Sequence, residues 1–194
     1  MKFFDIEQNS EEWMDLRRGK FTCSTFGNLF MAKNTAGYRN TIYQVIFERL
    51  TGETPESFSG NWMERGHEFE ADAKETYELL TFNKVSNGGF VELTEWVGGS
   101  PDGFINPGLV EIKCPKYSTM IDYLVSRKLP KIYEKQVQGQ LYVTGAEWCD
   151  FMCYHPKLKP LIIRIERDET MITEIKSKLE ESIEKAKSII KQLK

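Results

Sequence analysis

The most regular run of apolar positions lies at the end of the chain, where Met171, Ile175, Leu179, Ile183, Ala186, Ile190 and Leu193 recur at steps of three and four. That period predicts one amphipathic helix running to the C-terminus, its stripe packed against a sheet and its other positions rich in lysine and glutamate. Shorter helical patterns cover 11–18, closed by Gly19, then a run following Phe21–Ser24, then 38–50, where Ile42, Val45, Ile46, Arg49 and Leu50 share a broad face. Further helices are expected over 61–80, around 119–127 and over 131–143. Between them the period changes to two. GFVEL, EWVGGSPDGFI and LVEIKCP are rich in Val, Phe and Trp and broken by Gly and Pro, which predicts three adjacent strands, and WCDFMCY and PLIIRIER predict two more. No repeat, low-complexity tract or long linker divides the chain, so one domain over 1–194 is expected.

Composition narrows the class. The 194 residues are 40% hydrophobic and 28% charged, with 12 Phe, 8 Tyr and 4 Trp, the balance of a packed globular protein and not a disordered one. A chain of this length buries roughly 70% of its extended surface and needs no metal or disulfide staple. The net charge of -3 excludes a strongly basic binder of nucleic acid, although a local basic face remains compatible with it. No apolar stretch approaches the roughly 20 residues that span a bilayer, and the first residues turn acidic where a signal peptide would run apolar. A soluble, cytoplasmic protein without a membrane partner is expected. Cys23, Cys114, Cys149 and Cys153 lack the paired spacing of a zinc or iron-sulfur site and read as reduced, mostly buried thiols.

Candidate chemistry concentrates in SPDGFINPGLVEIKCP, residues 100–115. Glu111 and Lys113 are two apart on one strand and project from the same face. A hairpin around Asn106-Pro107-Gly108 would bring Asp102 to Glu111. Two converging carboxylates repel unless a cation sits between them, and carboxylate oxygens with water are what Mg²⁺ requires. Lys113 adds a point charge that could orient a water or stabilise a phosphate in metal-assisted phosphodiester hydrolysis. From spacing alone, a solvated hairpin with ordinary surface charges remains an equal reading, since Asp-Gly is a common turn dipeptide.

The context of this cluster extends along the chain in order: Trp13, Arg17 and Gly19 with Thr22, Cys23 and Ser24; Trp62, Gly66, Glu70 and Ala73; S-P-D-G and E-I-K-C-P; Gln136 and Gln138; Tyr154, His155 and Pro156; and Ile165 to Asp168. This arrangement resembles the lambda exonuclease type of PD-(D/E)xK nucleases, also called the YqaJ-like viral recombinase family. The resemblance implies an α/β (α+β) fold with a restriction-endonuclease-like core, a central mixed sheet flanked by helices, and a long C-terminal helix. It further implies that Asp102 and Glu111 bind Mg²⁺, with Mn²⁺ as a substitute, aided by the backbone carbonyl of Ile112 and by Glu70, for which Glu68 competes. Lys113 then serves the attacking water with Gln138 beside it. Arg17, with Arg18 as its alternative, and Ser24 match groups that receive a terminal 5′ phosphate. His67 stands where the lambda type carries lysine, yet helicase-linked relatives often place a metal-binding histidine on this helix. His155 reads as structural and Cys114 as a small buried apolar residue.

The implied activity is a Mg²⁺-dependent deoxyribonuclease working 5′ to 3′ from double-stranded DNA ends. Its implied partners are a single-strand annealing protein and two further copies in a homotrimeric ring, in the setting of phage-type recombination inside a bacterial host. An endonuclease or nickase with the same site, and a non-catalytic scaffold that binds DNA ends, are the competing readings.

Overall fold

The computed structural model describes residues 1–55 and 61–194, and of residues 61–68 the backbone alone. Helix α1 (Glu11–Arg17) starts where the Ser10 hydroxyl accepts the Trp13 N–H at 3.2 Å, with Glu11 and Glu12 in its positively polarised first turn. A 3₁₀ segment (Cys23–Phe30) and α2 (Ala36–Thr51) follow, the latter ended by Gly52 in the left-handed region. After α3 (Asn61–Thr81) the chain builds β3 (Ser86–Asn87), β4 (Phe90–Thr94), β5 (Val97–Gly99), β6 (Gly103–Ile105) and β7 (Gly108–Lys113). Then come α4 (Tyr117–Ser126), α5 (Lys131–Thr144), β8 (Trp148–Cys153), β9 (Leu161–Glu166) and α6 (Glu169–Leu193). Two short strands, β1 (Lys2–Phe4) and β2 (Phe21–Thr22), join from the N-terminal part.

These strands form two sheets instead of one. The larger has the order β3-β6-β7-β8-β9, with β7 and β8 parallel and the other neighbours antiparallel; the smaller has the order β1-β4-β5-β2. The stretch read as one strand, EWVGGSPDGFI, is therefore split. Its first half enters β5 in the small sheet, its second half enters β6 in the large one, and Ser100, Pro101 and Asp102 make the crossing. Each alternating face of β7 and β8 is covered. Leu109, Cys149, Phe151 and Cys153 pack with Met120, Val137 and Leu141 from α4 and α5, whereas Val110, Ile112 and Met152 pack with Ala73 and Tyr77 of α3. This mixed architecture, with a long C-terminal helix, is the expected fold class.

Helix α6 departs from its expected seat. It packs chiefly against α2, α5 and the 3₁₀ segment, burying Ile172, Ile175, Leu179 and Ala186, and the last three share one apolar core with Val91 and Val97 of the smaller sheet. Leu193, at the end of the stripe, extends past the core and is exposed. Its lysines are interleaved with acids, as in the Lys187–Glu184 pair at 2.9 Å. Cys23, Cys149 and Cys153 are buried free thiols, as read from the sequence, while Cys114 is only half-buried. Among the described residues no helix is long and apolar enough to cross a membrane.

Helix α5 approaches the 3₁₀ segment more closely than any side chain would allow at Gly139. A Cβ there would lie 2.4 Å from the fully buried ring of Phe26, which has nowhere to move. Helix propensity alone makes Gly139→Ala a gain of about 1 kcal/mol. Overpacking of the ring outweighs that, and the expected outcome is a net loss of about 1–3 kcal/mol, read as a lower urea midpoint at unchanged m.

Candidate active site

The split between the sheets places Asp102. In the β6–β7 hairpin Gly103 faces Val110, so the next pair outward is Asp102 and Glu111. Asp102 Oδ2 accepts the backbone N–H of Ile112 at 2.6 Å. Glu111, only 1% exposed, projects onto the face of the sheet that α5 covers. Its Oε1 accepts from the Lys113 ammonium and from the Gln136 amide at 2.5 Å, and its Oε2 accepts from the Gln140 amide at 2.6 Å. The ammonium of Lys113 also lies 5.4 Å from the centre of the Tyr133 ring.

The electrostatics follow from this crowding. Desolvation and then the charge of Glu111, with a smaller contribution from Glu70, push the Asp102 carboxyl well above its ordinary range. Burial pulls the Lys113 ammonium down, but the charges of Glu111 and Asp102 outweigh it and hold the lysine above its usual value. Two neighbouring carboxyl groups beside a charged donor form a hard-oxygen set, the kind that suits a divalent cation with water in its remaining positions. Glu70 approaches from α3, paired with Lys74 at 3.0 Å. Among the described residues no three His, Cys, Asp or Glu side chains converge as a closed metal cluster. His67 and Glu68, with Trp62 and Gly66, lie outside the residues whose side chains are described.

One expected member of the site is elsewhere. The amide of Gln138 donates to the Glu166 carbonyl at 2.8 Å and accepts the Asp168 N–H at 2.9 Å, tying α5 to the junction of β9 and α6. The reason is helical geometry. Residues 136 and 140 are one turn apart on a common face, and 138 lies some 200° around from 136, so the helix that aims Gln136 and Gln140 at Glu111 turns Gln138 away. Gln140 was legible only through that i, i+4 spacing, in the string Q-V-Q-G-Q.

Arg17 and Ser24 do come together. Thr22 Oγ1 lies 3.4 Å from Arg17 Nη2 and 3.3 Å from Ser24 Oγ. The guanidinium lies over the ring of Trp13, 4.1 Å from its centre, and burial lowers its pKa, partly offset by Cys23 and Glu48. Among the described residues Arg17 forms no ion pair with a carboxylate. Arg18, the alternative, points instead to Asp15 at 2.8 Å. The turn after α1 is clamped from α2, where Glu48 accepts the Gly19 N–H at 2.6 Å and Arg49 donates to the Gly19 carbonyl at 2.7 Å. Gly19 has φ +72°, and a Cβ there would meet Arg49 Cγ at 2.8 Å, so glycine is required on both counts.

A groove of about 690 Å³ opens where β7 and β8 end, lined by Phe69, Tyr117, Ile121, His155, Pro156, Lys157 and Leu158. The Tyr154 N–H donates to the Lys113 carbonyl at 2.8 Å, so this wall begins directly after the lysine's neighbour strand. His155 accepts the Lys157 N–H at 3.2 Å and shapes the turn, in keeping with a structural role.

A family model, YqaJ-like viral recombinase domain, matches residues 12–147. Among solved structures, an alkaline exonuclease, LHK-Exo, from Laribacter hongkongensis is 34% identical, with a TM-score of 0.88 over 95% of this chain and 96% of its own. The same exonuclease in complex with dAMP superimposes with a TM-score of 0.89 at the same identity and coverage. A phage related exonuclease from Haemophilus somnus 129PT shares the fold at 16% identity, with a TM-score of 0.70 over 93% of this chain and 100% of its own. No curated protein sequence matches the chain.

The raised Asp102 carboxyl makes stability depend on pH. Its folded form holds a proton that the unfolded chain releases, so stability is full below the ordinary carboxylate range and is lost as pH climbs through the raised value. In EDTA, Asp102→Asn should therefore melt higher than the parent at pH 8 and at nearly the parent's temperature at pH 4. A gain of about 1 kcal/mol corresponds to about 2–4 °C for a chain of this size, measured by calorimetry at both pH values.

Proposed function

The chain belongs to the family of YqaJ-like viral recombinase domains, and from that membership we propose that it is a Mg²⁺-dependent deoxyribonuclease that digests double-stranded DNA from its ends in the 5′ to 3′ direction. The observation that carries the reading is the buried Glu111 carboxylate, gripped by Lys113, Gln136 and Gln140 and set beside Asp102. The exonuclease at 34% identity over nearly the whole chain supports the same class of chemistry.

Asp102 and Glu111, with the Ile112 carbonyl and Glu70, are the groups that would hold the cation, for which Mn²⁺ would substitute. Mg²⁺, when bound, supplies charge neutralisation at the scissile phosphate and a more acidic water. Gln136 and Gln140 keep the Glu111 carboxylate in one orientation, so its oxygens need no rearrangement during the reaction. Lys113, held charged, donates toward the developing charge at the phosphate. Arg17, with Thr22 and Ser24, receives the terminal 5′ phosphate, since a guanidinium fork and hydroxyls suit a phosphate oxygen cluster. The groove beside Tyr117 and Lys157 offers aromatic surface for bases and a cation for the backbone. With a net charge of -3, binding rests on these local groups and weakens with salt.

Two partners complete the proposal. The first is a homotrimeric ring around the DNA, for which the exposed apolar groups Tyr43, Phe47 and Leu50 on α2 and Leu79, Leu80 and Phe82 at the end of α3 offer contact surface. The second is a single-strand annealing protein that takes the exposed strand. The setting is phage-type recombination in the cytoplasm of a bacterial host.

Release of acid-soluble nucleotides from matched linear duplexes and covalently closed circles, in Mg²⁺ or EDTA, tests the reading. Linear DNA should be degraded only with Mg²⁺ and circles left intact, and Lys113→Ala should lose about 100- to 1000-fold in rate. Cutting of circles would instead favour an endonuclease or nickase, and binding without release a scaffold. The glutamines separate in the same assay. Gln136→Ala should lose about tenfold in kcat and about 1–3 kcal/mol in urea unfolding as Glu111 loses a donor, while Gln138→Ala keeps the parental kcat within twofold and loses about 1 kcal/mol.

A further inference from the structure

Helix α1 has no fully buried residue, so core packing alone does not decide where Arg17 stands. Polar ties do. At its C-terminal end the clamp on Gly19 fixes the chain, and on the side facing the carboxylates the indole N–H of Trp13 donates to Ser100 Oγ at 2.8 Å. The backbone carbonyl of the same serine accepts from Gln140 Nε2 at 3.3 Å, and that nitrogen also donates to Glu111 Oε2 at 2.6 Å. Gln140 is 1% exposed and its Oε1 is buried without a hydrogen-bond partner among the described residues, so the side chain is held for the two bonds of its amide nitrogen. A second strap, from Gln8 Nε2 to the Pro101 carbonyl at 2.8 Å, brings the N-terminal segment to the same turn.

A continuous line therefore runs from the Arg17 guanidinium over the face of Trp13, through the hydroxyl and carbonyl of Ser100, through Gln140, to Glu111. The links are an indole, the hydroxyl and peptide carbonyl of one serine, and a planar amide. None of the three linking side chains titrates near neutral pH. We propose that Trp13, Ser100 and Gln140 are positioning residues that fix the spacing between the terminal-phosphate receptor and the cleavage carboxylates, and thereby set the preference for 5′-phosphorylated ends. This inference rests on the reading of Arg17 given above. Its physical basis is that a displacement of about 1 Å between groups that must act together costs about 100-fold in rate.

The test is the ratio of initial rates on matched linear duplexes bearing 5′-phosphate or 5′-hydroxyl ends. Trp13→Phe keeps an aromatic face under Arg17 and removes only the N–H, and Ser100→Ala removes its acceptor while leaving the carbonyl that meets Gln140. Each should lower the ratio by about tenfold, the worth of one partly buried hydrogen bond. The double variant should lower it no further, because both changes break the same bond. Gln140→Met, close in length but lacking the donor, should lower the ratio as well, on top of a general fall in kcat as Glu111 is released. A ratio that stays parental in Trp13→Phe, losses that add in the double variant, or a fall shared equally by both kinds of end would each overturn the inference and leave the nuclease reading standing. A parent protein that degrades both ends alike would overturn the phosphate receptor itself and the inference with it.

Discussion

An ionised carboxylate turned toward the apolar side of a sheet costs several kcal/mol unless donors meet it there. Glu111 imposes that condition on this fold. Its three donors come from β7 itself and from two turns of α5, so the helix must lie across the strand at one height and one rotation about its axis. Gly139 is part of the same demand. Between Gln136 and Gln140, it lets the helix settle onto Phe26 closely enough for both amides to reach. Close packing and hydrogen bonding on adjoining faces of α5 are thus solved by one short string, Q-V-Q-G-Q.

A second buried carboxylate, Asp150, shows what the first is not. Arg164 meets it with two bonds at 2.8 and 2.9 Å, and the Tyr77 hydroxyl adds a third at 2.6 Å. That arrangement is closed: one anion, one cation, one neutral donor. Glu111 has as many donors, yet a second carboxylate lies beside it, and the imbalance appears as the raised Asp102 carboxyl. Perturbation of this kind, from burial and a like charge together, is common where carboxyl groups bind a cation or take part in chemistry. The two networks are also linked. Tyr77 anchors α3 over β8, and Glu70, seven residues earlier and so on the same side of that helix, comes within electrostatic reach of Asp102.

Much of this was legible before any coordinates. The hairpin about Asn106-Pro107-Gly108, the shared face of Glu111 and Lys113, and the long C-terminal helix all follow from period and turn chemistry, and they hold in the structure. The approach of Arg17 to Ser24 was legible only through family resemblance, since nothing local in 17–24 announces it. What period does not encode is which partner a strand chooses. EWVGGSPDGFI alternates as one strand would, and only the tertiary structure sends its halves to different sheets. Which of Gln136 and Gln138 meets Glu111 is hidden for a different reason. Both are polar and on one helix, and deciding between them needed the direction of Glu111, which is set by a strand 25 residues away in sequence from Gln136.

That distance has a consequence for when the cluster around Glu111 is complete. The bonds that complete the site join residues 25, 29, 87 and 93 apart. Long-range contacts of this kind close late, after local helices and hairpins have formed. A growing chain that has made the hairpin with Asp102 and Glu111 still lacks the two amides of α5, and a chain without its first turns has no tie on Ser100. The bonded cluster around Glu111 is a property of the finished molecule, so neither a chain still growing nor a fragment without α5 carries it assembled.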